Sequence, residues 1–242
     1  MNLLKEIKVK FLTGDILTRL LLINSAVFVF SLLLDIIFTL FSFGNQNTAF
    51  ISLNYPWSPM ALLFRPWTLI TSLFTSWGLW HFLFNMLTLY WLGGVFLRFF
   101  TSNNLRGLYI IGGITGMLVF TGIFLLFPSL QNKVWANSLP LCSVCILSFC
   151  SALAFRAPDS TEPIPLIGAV KIKYIVIALL LIDLAILPNA NPATDAAHIG
   201  AAVIGWFFNR TLKKGKDITE PVTAVAVRIY DLFSKKNKKQ QQ

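Results

Sequence analysis

Six apolar stretches, each about as long as the roughly 20 residues a helix needs to cross a bilayer, constrain this chain more than any other feature. They fall near residues 18–41, 81–100, 107–128, 138–155, 169–187 and 194–211, with short polar breaks between most of them. In hydrocarbon every backbone N–H and C=O must find a partner, so stretches of this length read as spanning helices. Composition leaves little room for another reading: 56% of the 242 residues are hydrophobic, 12% are charged and the mean hydropathy is +0.70. A single soluble core of this length does not enclose that much apolar surface. The expected architecture is an all-α, multi-pass membrane protein with six transmembrane helices in one membrane domain.

A net charge of +10 raises nucleic acid as a partner, but the basic residues are grouped along the chain rather than spread over a soluble face. Lys5, Lys8, Lys10 and Arg19 precede or open the first stretch, Arg98 and Arg106 flank the second break, Arg156, Lys171 and Lys173 flank the fourth, and Arg210 to Lys239 follow the last. The alternate breaks carry only Arg65, only Lys133, and no Lys or Arg between Ile182 and Phe208. Basic residues mark the cytoplasmic side. Both termini are therefore expected inside and three loops outside, and the implied partner is the lipid bilayer, with no nucleic acid.

The chain divides into a cytoplasmic N-terminal segment at 1–17, a membrane domain at 18–211 and a basic cytoplasmic tail at 212–242. The N-terminal stretch has no small-residue cleavage site and is expected to remain as the first helix. In the tail, Val222, Val225, Ile229, Leu232 and Phe233 recur at helical spacing opposite Arg228 and Asp231. That pattern fits an amphipathic helix on the inner leaflet, or equally a disordered solubilising tail. The first external loop, about residues 42–80, is the longest connection and holds Tyr55, Trp57, Arg65, Trp67, Trp77 and Trp80. Such side chains suit the headgroup zone, so the loop is expected to fold against the outer leaflet. Cys142, Cys145 and Cys150 share one apolar stretch and are expected to pack as free thiols.

The chain has two histidines, His81 and His198, each placed about one turn inside the external end of its stretch. Polar groups at membrane depth usually face a bundle interior or a water-filled cavity, so matching depth suggests a shared site. If the fourth span starts near Ser138, then at ~1.5 Å per residue Ser143 lies roughly 8 Å below its end, level with His198. A serine becomes a nucleophile when a neighbouring base takes its proton, and a histidine can then return that proton to the leaving amine. His81 and Asn85, four apart, lie on one helix face and can donate to an oxyanion; alone, they would read as an interhelical hydrogen-bonding pair.

Other residues compete for these roles. Ser138, nearer the mouth of the span, is a rival nucleophile, whereas Cys142 and Cys145 lack any evident neighbour that would favour a thiolate. Ala197, Ala201 and Gly205 form a small-residue stripe that would let the last helix approach the fourth. Asp195, near the start of the last span, reads as a helix cap rather than a third triad member. Asp183, within the fifth span, reads either as a functional group or as a hydrogen-bonded structural acid, and Asp35 can snorkel outward.

Together these residues resemble the rhomboid family. The resemblance is carried by Arg65-Pro-Trp-Thr and Phe74 ahead of His81-Phe-Leu-Phe-Asn85, by Gly112-Gly113, by the serine span, and by Ala197-His198-Ile-Gly200 with Gly205. It implies a six-helix rhomboid bundle with a Ser-His dyad open to the outside. Ser143 would be the nucleophile, His198 the base, and His81 with Asn85 the oxyanion donors. Ser143 is preferred to Ser138 because its spacing from Ala157-Pro158-Asp159 and from His198 is like the family's. Two departures stand out: the family's usual Gly-x-Ser-Gly is Leu141-Cys142-Ser143-Val144 here, with bulk expected to narrow the crevice or shift the nearby backbone donor, and Ser76 stands where many relatives carry another histidine.

The expected function is that of an intramembrane serine endopeptidase acting on transmembrane protein substrates without a cofactor, in the bacterial inner membrane. The alternative is a catalytically inactive rhomboid-like protein that binds transmembrane helices. A transporter or channel is disfavoured, since paired intramembrane charges and matching broken helices are not evident.

Overall fold

The computed structural model describes residues 6, 9–11, 13–41, 48–130, 138–164, 168–186 and 191–224. It is mostly helical. The long helices are α1 (Ile16–Leu40), α2 (Gly78–Phe96), α3 (Ser102–Leu126), α4 (Cys142–Arg156), α5 (Ile172–Ile186) and α6 (Pro192–Leu212). Among the described residues, three of them, α1, α2 and α3, are long and apolar enough to cross a membrane. Their outward faces carry large apolar side chains such as Leu40, Trp80, Leu87 and Leu118, more than half exposed. In water this surface would be a liability; against acyl chains it is the expected exterior.

The helix starts follow from local chemistry. Asp15 caps α1 by accepting the Thr18 N–H at 2.8 Å. Thr101 and Asn104 form a reciprocal capping box on α3, each side chain accepting the other's backbone N–H. Asn191 caps α6 by accepting the Ala193 N–H, with Pro192 in the first turn, where its missing N–H does no harm. Asp195 is therefore not the cap expected from the sequence: it lies inside the first turn of α6, three residues beyond Pro192.

Helix α4 is the axle of the bundle. Every residue from Cys142 to Leu153 is buried, and α2, α3, α5 and α6 all pack on it. Small residues set how near the neighbours come. A Cβ on Gly113 would sit 2.9 Å from Cys145 Sγ, and one on Gly205 would sit 2.8 Å from the Ala152 nitrogen. Hydroxyls then tie the close backbones: Ser148 Oγ donates to the Leu108 carbonyl at 2.8 Å and Ser151 Oγ to the Ala202 carbonyl at 2.6 Å, while Asn209 Nδ2 donates to the Ala152 carbonyl. The stripe Ala197, Ala201 and Gly205 is buried along this contact.

The segment between α1 and α2 is built of short helical turns (Thr48–Leu53, Pro59–Phe64, Thr68–Thr71 and Ser72–Phe74) and a short strand β1 (Tyr55–Pro56). Strand β1 pairs antiparallel with β2 (Ser138–Leu139), Tyr55 opposite Leu139 and Pro56 opposite Ser138. Trp57 stacks on Phe124, and the Tyr109 hydroxyl donates to the Leu73 carbonyl at 2.9 Å, so the segment is fastened to α3. The ladder corrects one expectation. Residues Ser138 and Leu139 are extended, and α4 starts only at Cys142, so Ser143 lies in its first turn rather than well below its end.

At the opposite end of α4, β3 (Thr161–Ile164) and β4 (Gly168–Lys171) form a hairpin leading into α5. Lys173 and Lys171 both bond Asp159 there and hold its carboxyl below the usual carboxylate range. After α6 the chain turns back, and Asn104 Nδ2 donates to Asp217 Oδ2 at 2.7 Å and to Thr219 Oγ1 at 3.1 Å. Most of the amphipathic pattern expected in the tail, from residue 225 on, lies outside the described residues.

Candidate active site

The start of α4 presents Ser143. The two residues before it are pinned to the preceding segment: the Leu141 N–H donates to the Ser72 carbonyl at 2.8 Å and the Cys142 N–H to the Thr75 carbonyl at 3.2 Å. The helical ladder begins with the Cys145 N–H on the Leu141 carbonyl, so the Ser143 N–H has no acceptor within its own helix. A hydroxyl and a helix-start amide are thus carried by one residue.

His198, on α6, is completely buried. Its Nδ1 lies 2.8 Å from the Thr194 carbonyl oxygen, one turn back, and its Nε2 lies 3.0 Å from Ser143 Oγ. A carbonyl only accepts, so Nδ1 carries the hydrogen, and that choice makes Nε2 the nitrogen able to receive the serine proton.

His81 and Asn85 lie on one face of α2, both buried. Asn85 Nδ2 donates to Ser76 Oγ at 3.1 Å and lies 3.4 Å from His81 Nδ1. With Nδ1 accepting, His81 Nε2 carries the hydrogen and donates to Asp183 Oδ1 at 2.9 Å. Asp183, from α5, also sets its Oδ2 2.8 Å from His198 Nε2. One carboxylate therefore joins the two histidines.

A family model for the rhomboid domain matches residues 64–215, more than half of the chain and including every residue of this site. The chain belongs to the rhomboid family. Rhomboids are intramembrane serine proteases that act on membrane proteins within the bilayer, and this one is accordingly an integral membrane protein. Comparison with curated proteins gave no match.

The bulk that replaces the family's glycines around the rhomboid's serine has a visible destination. Leu141 and Val144 are fully buried, and a Cβ on Gly116 of α3 would lie 3.1 Å from Leu141 Cδ2 and 2.6 Å from Val144 Cγ1. These side chains press into α3 where Gly116 leaves room. Ser76, standing in place of another histidine, holds Asn85.

Ser143, His198, His81 and Asn85 thus converge on one end of the bundle. Ser138 is held in the β ladder, and the Cys142 thiol donates to Asn24 Oδ1 at 3.2 Å, beside the Tyr109 hydroxyl. Thr194 and the double contact of Asp183 were not read from the sequence. The His198 spacing of four residues was a signal for a backbone partner at Thr194; nothing in the sequence indicates that α5 rotates Asp183 toward both histidines.

Proposed function

We propose that this rhomboid is an active serine endopeptidase that cleaves other membrane proteins in or near their transmembrane segments. The observation that carries the reading is the 3.0 Å approach of Ser143 Oγ to His198 Nε2, with the other ring nitrogen fixed on the Thr194 carbonyl. Ser143 Oγ attacks the scissile carbonyl carbon as its proton passes to His198 Nε2. The proton then moves to the departing amine as the C–N bond breaks, leaving an acyl-serine. Water, deprotonated by the same nitrogen, attacks that ester and restores the hydroxyl. His81, Asn85 and the Ser143 N–H are the donors for the negative oxygen that develops at each attack.

The surrounding membrane arrangement follows the same reading. All six long helices cross the bilayer, both termini lie in the cytoplasm, and the segment between α1 and α2 rests on the outer leaflet, in a bacterial inner membrane. The chain divides into a cytoplasmic segment at 1–17, a membrane domain at 18–211 and a basic cytoplasmic tail at 212–242. A substrate helix must unwind to expose a carbonyl, so Gly- or Pro-containing segments are cleaved in preference to stable poly-Leu helices; equal cleavage of the two contradicts this.

The direct test is labelling of the detergent-solubilised protein with a biotinylated fluorophosphonate. Labelling is expected for wild type and Ser138→Ala and lost in Ser143→Ala and His198→Ala, with folding checked by thermal melting. A folded wild type that is not labelled points instead to an inactive protein that binds transmembrane helices.

A further inference from the structure

Asp183 presents a difficulty for the dyad as it stands. His198 Nδ1 gives its hydrogen to Thr194, yet Nε2 faces two partners, Ser143 Oγ at 3.0 Å and Asp183 Oδ2 at 2.8 Å. A bare nitrogen and a carboxylate oxygen both only accept, so at 2.8 Å a proton must lie between them. While it does, Nε2 cannot take the proton of Ser143. The other carboxylate oxygen takes up the Nε2 hydrogen of His81, the donor assigned to the oxyanion. The two oxygens thus hold the base and the oxyanion donor together.

Space tells the same story. The small cavity beside Ser143, bordered by Asn85, Ile146, Leu179 and Asp183, has a volume of about 20 Å³. That is room for a single water, which needs roughly 10–15 Å³ by this measure, and not for a peptide group. Ser143 and the Asp183 carboxylate border this same cavity.

We propose, building on the serine protease reading, that Asp183 is an internal competitor of the substrate: its carboxylate occupies the His198 and His81 positions that the reaction requires, and the enzyme rests in a self-inhibited state until substrate displaces it. This differs from the carboxylate of a catalytic triad, which sits on the other ring nitrogen and holds the base ready. Here Thr194 fills that place, and Asp183 stands on the reacting side.

The test uses the full chain in detergent, as wild type, Asp183→Ala and Asp183→Leu, with melting curves to show that each is folded. Two readouts are taken. The first is the rate of fluorophosphonate labelling at Ser143, expected to rise about ten-fold or more in both variants, as befits removal of charge-assisted hydrogen bonds from the resting state. The second does not depend on proteolysis. Since the chain has only two histidines, ring ¹⁵N NMR resolves His198 and His81 individually. His198 Nε2 is expected away from the bare-nitrogen shift in wild type and at that shift in both variants.

Slower labelling of folded variants would make Asp183 a positioning residue and overturn the proposal, as would a bare Nε2 in wild type. The expected NMR change without labelling of any form would keep the competitor and remove the protease reading.

Discussion

Adding one methyl group to Gly205 should disable the site from two helical turns away. A Cβ there would lie 2.8 Å from the Ala152 nitrogen and 2.9 Å from Ser151 Cβ, and nearer still to the Ser148 carbonyl oxygen. Two of these neighbours are backbone of α4, so no rotamer change relieves the clash. Restoring ordinary contact at about 3.5 Å requires α6 to withdraw by on the order of 1 Å. Seven residues, ~10 Å of helix, separate Gly205 from His198, too short for a helix to absorb such a shift by bending. The 3.0 Å Ser143–His198 approach then opens to about 4 Å, beyond hydrogen-bond range. Over-packing of this kind costs about 1–3 kcal/mol, and a misplacement of about 1 Å about 100-fold in rate. Gly205→Ala is therefore expected to melt several degrees lower and to label with fluorophosphonate about two orders of magnitude more slowly. Gly94→Ala and Gly122→Ala, where an added Cβ meets nothing within 4 Å, are the controls and should match wild type in both measurements. A Gly205→Ala protein with wild-type melting and labelling would refute the claim that the α4–α6 contact sets the distance between serine and base.

Three further outcomes follow from the packing. Asn104→Ala removes half of the α3 capping box and both bonds to Asp217 and Thr219, so a loss of about 1–2 kcal/mol and faster amide exchange at residues 217–224 are expected; unchanged exchange would show that the returning segment is held by other contacts. Arg98→Ala strands the mostly buried Glu162 carboxylate, 2.7 Å from Arg98 Nη2, whereas Glu162→Gln leaves only an exposed cation; the first variant should melt lower than the second, and equal melting would count against a buried charge. The three cysteines, all free and almost fully inaccessible, should react with maleimide only after denaturation.

Much of the bundle was legible because lipid enforces a simple pattern: each long helix overlaps an apolar stretch, and cap residues such as Asn191 and Thr101 stand just before helix starts. His81, Asn85, Ser143 and His198 were legible as polar exceptions in apolar surroundings. What was hidden depends on contacts between distant segments. The late start of α4 is imposed by Tyr55 and Pro56 pairing with Leu139 and Ser138, and an apolar run cannot reveal a partner more than 80 residues upstream. Leu141 and Val144 looked like obstructions because residue size says nothing of direction; Gly116 on another helix decides that. Asp183 read as a structural acid as easily as a functional one, since its rotation toward His81 and His198 comes from the packing of α5.

The ladder between β1 and β2 also orders events during synthesis. Its two halves are separated by α2 and α3, so the ladder can close only after both helices have been made, and the amides of Leu141 and Cys142 find their carbonyls on Ser72 and Thr75 only then. His198 emerges from the ribosome 55 residues after Ser143. A growing chain therefore carries an anchored Ser143 for some time before it carries His198, and the two side chains meet only after α4 and α5 have been made.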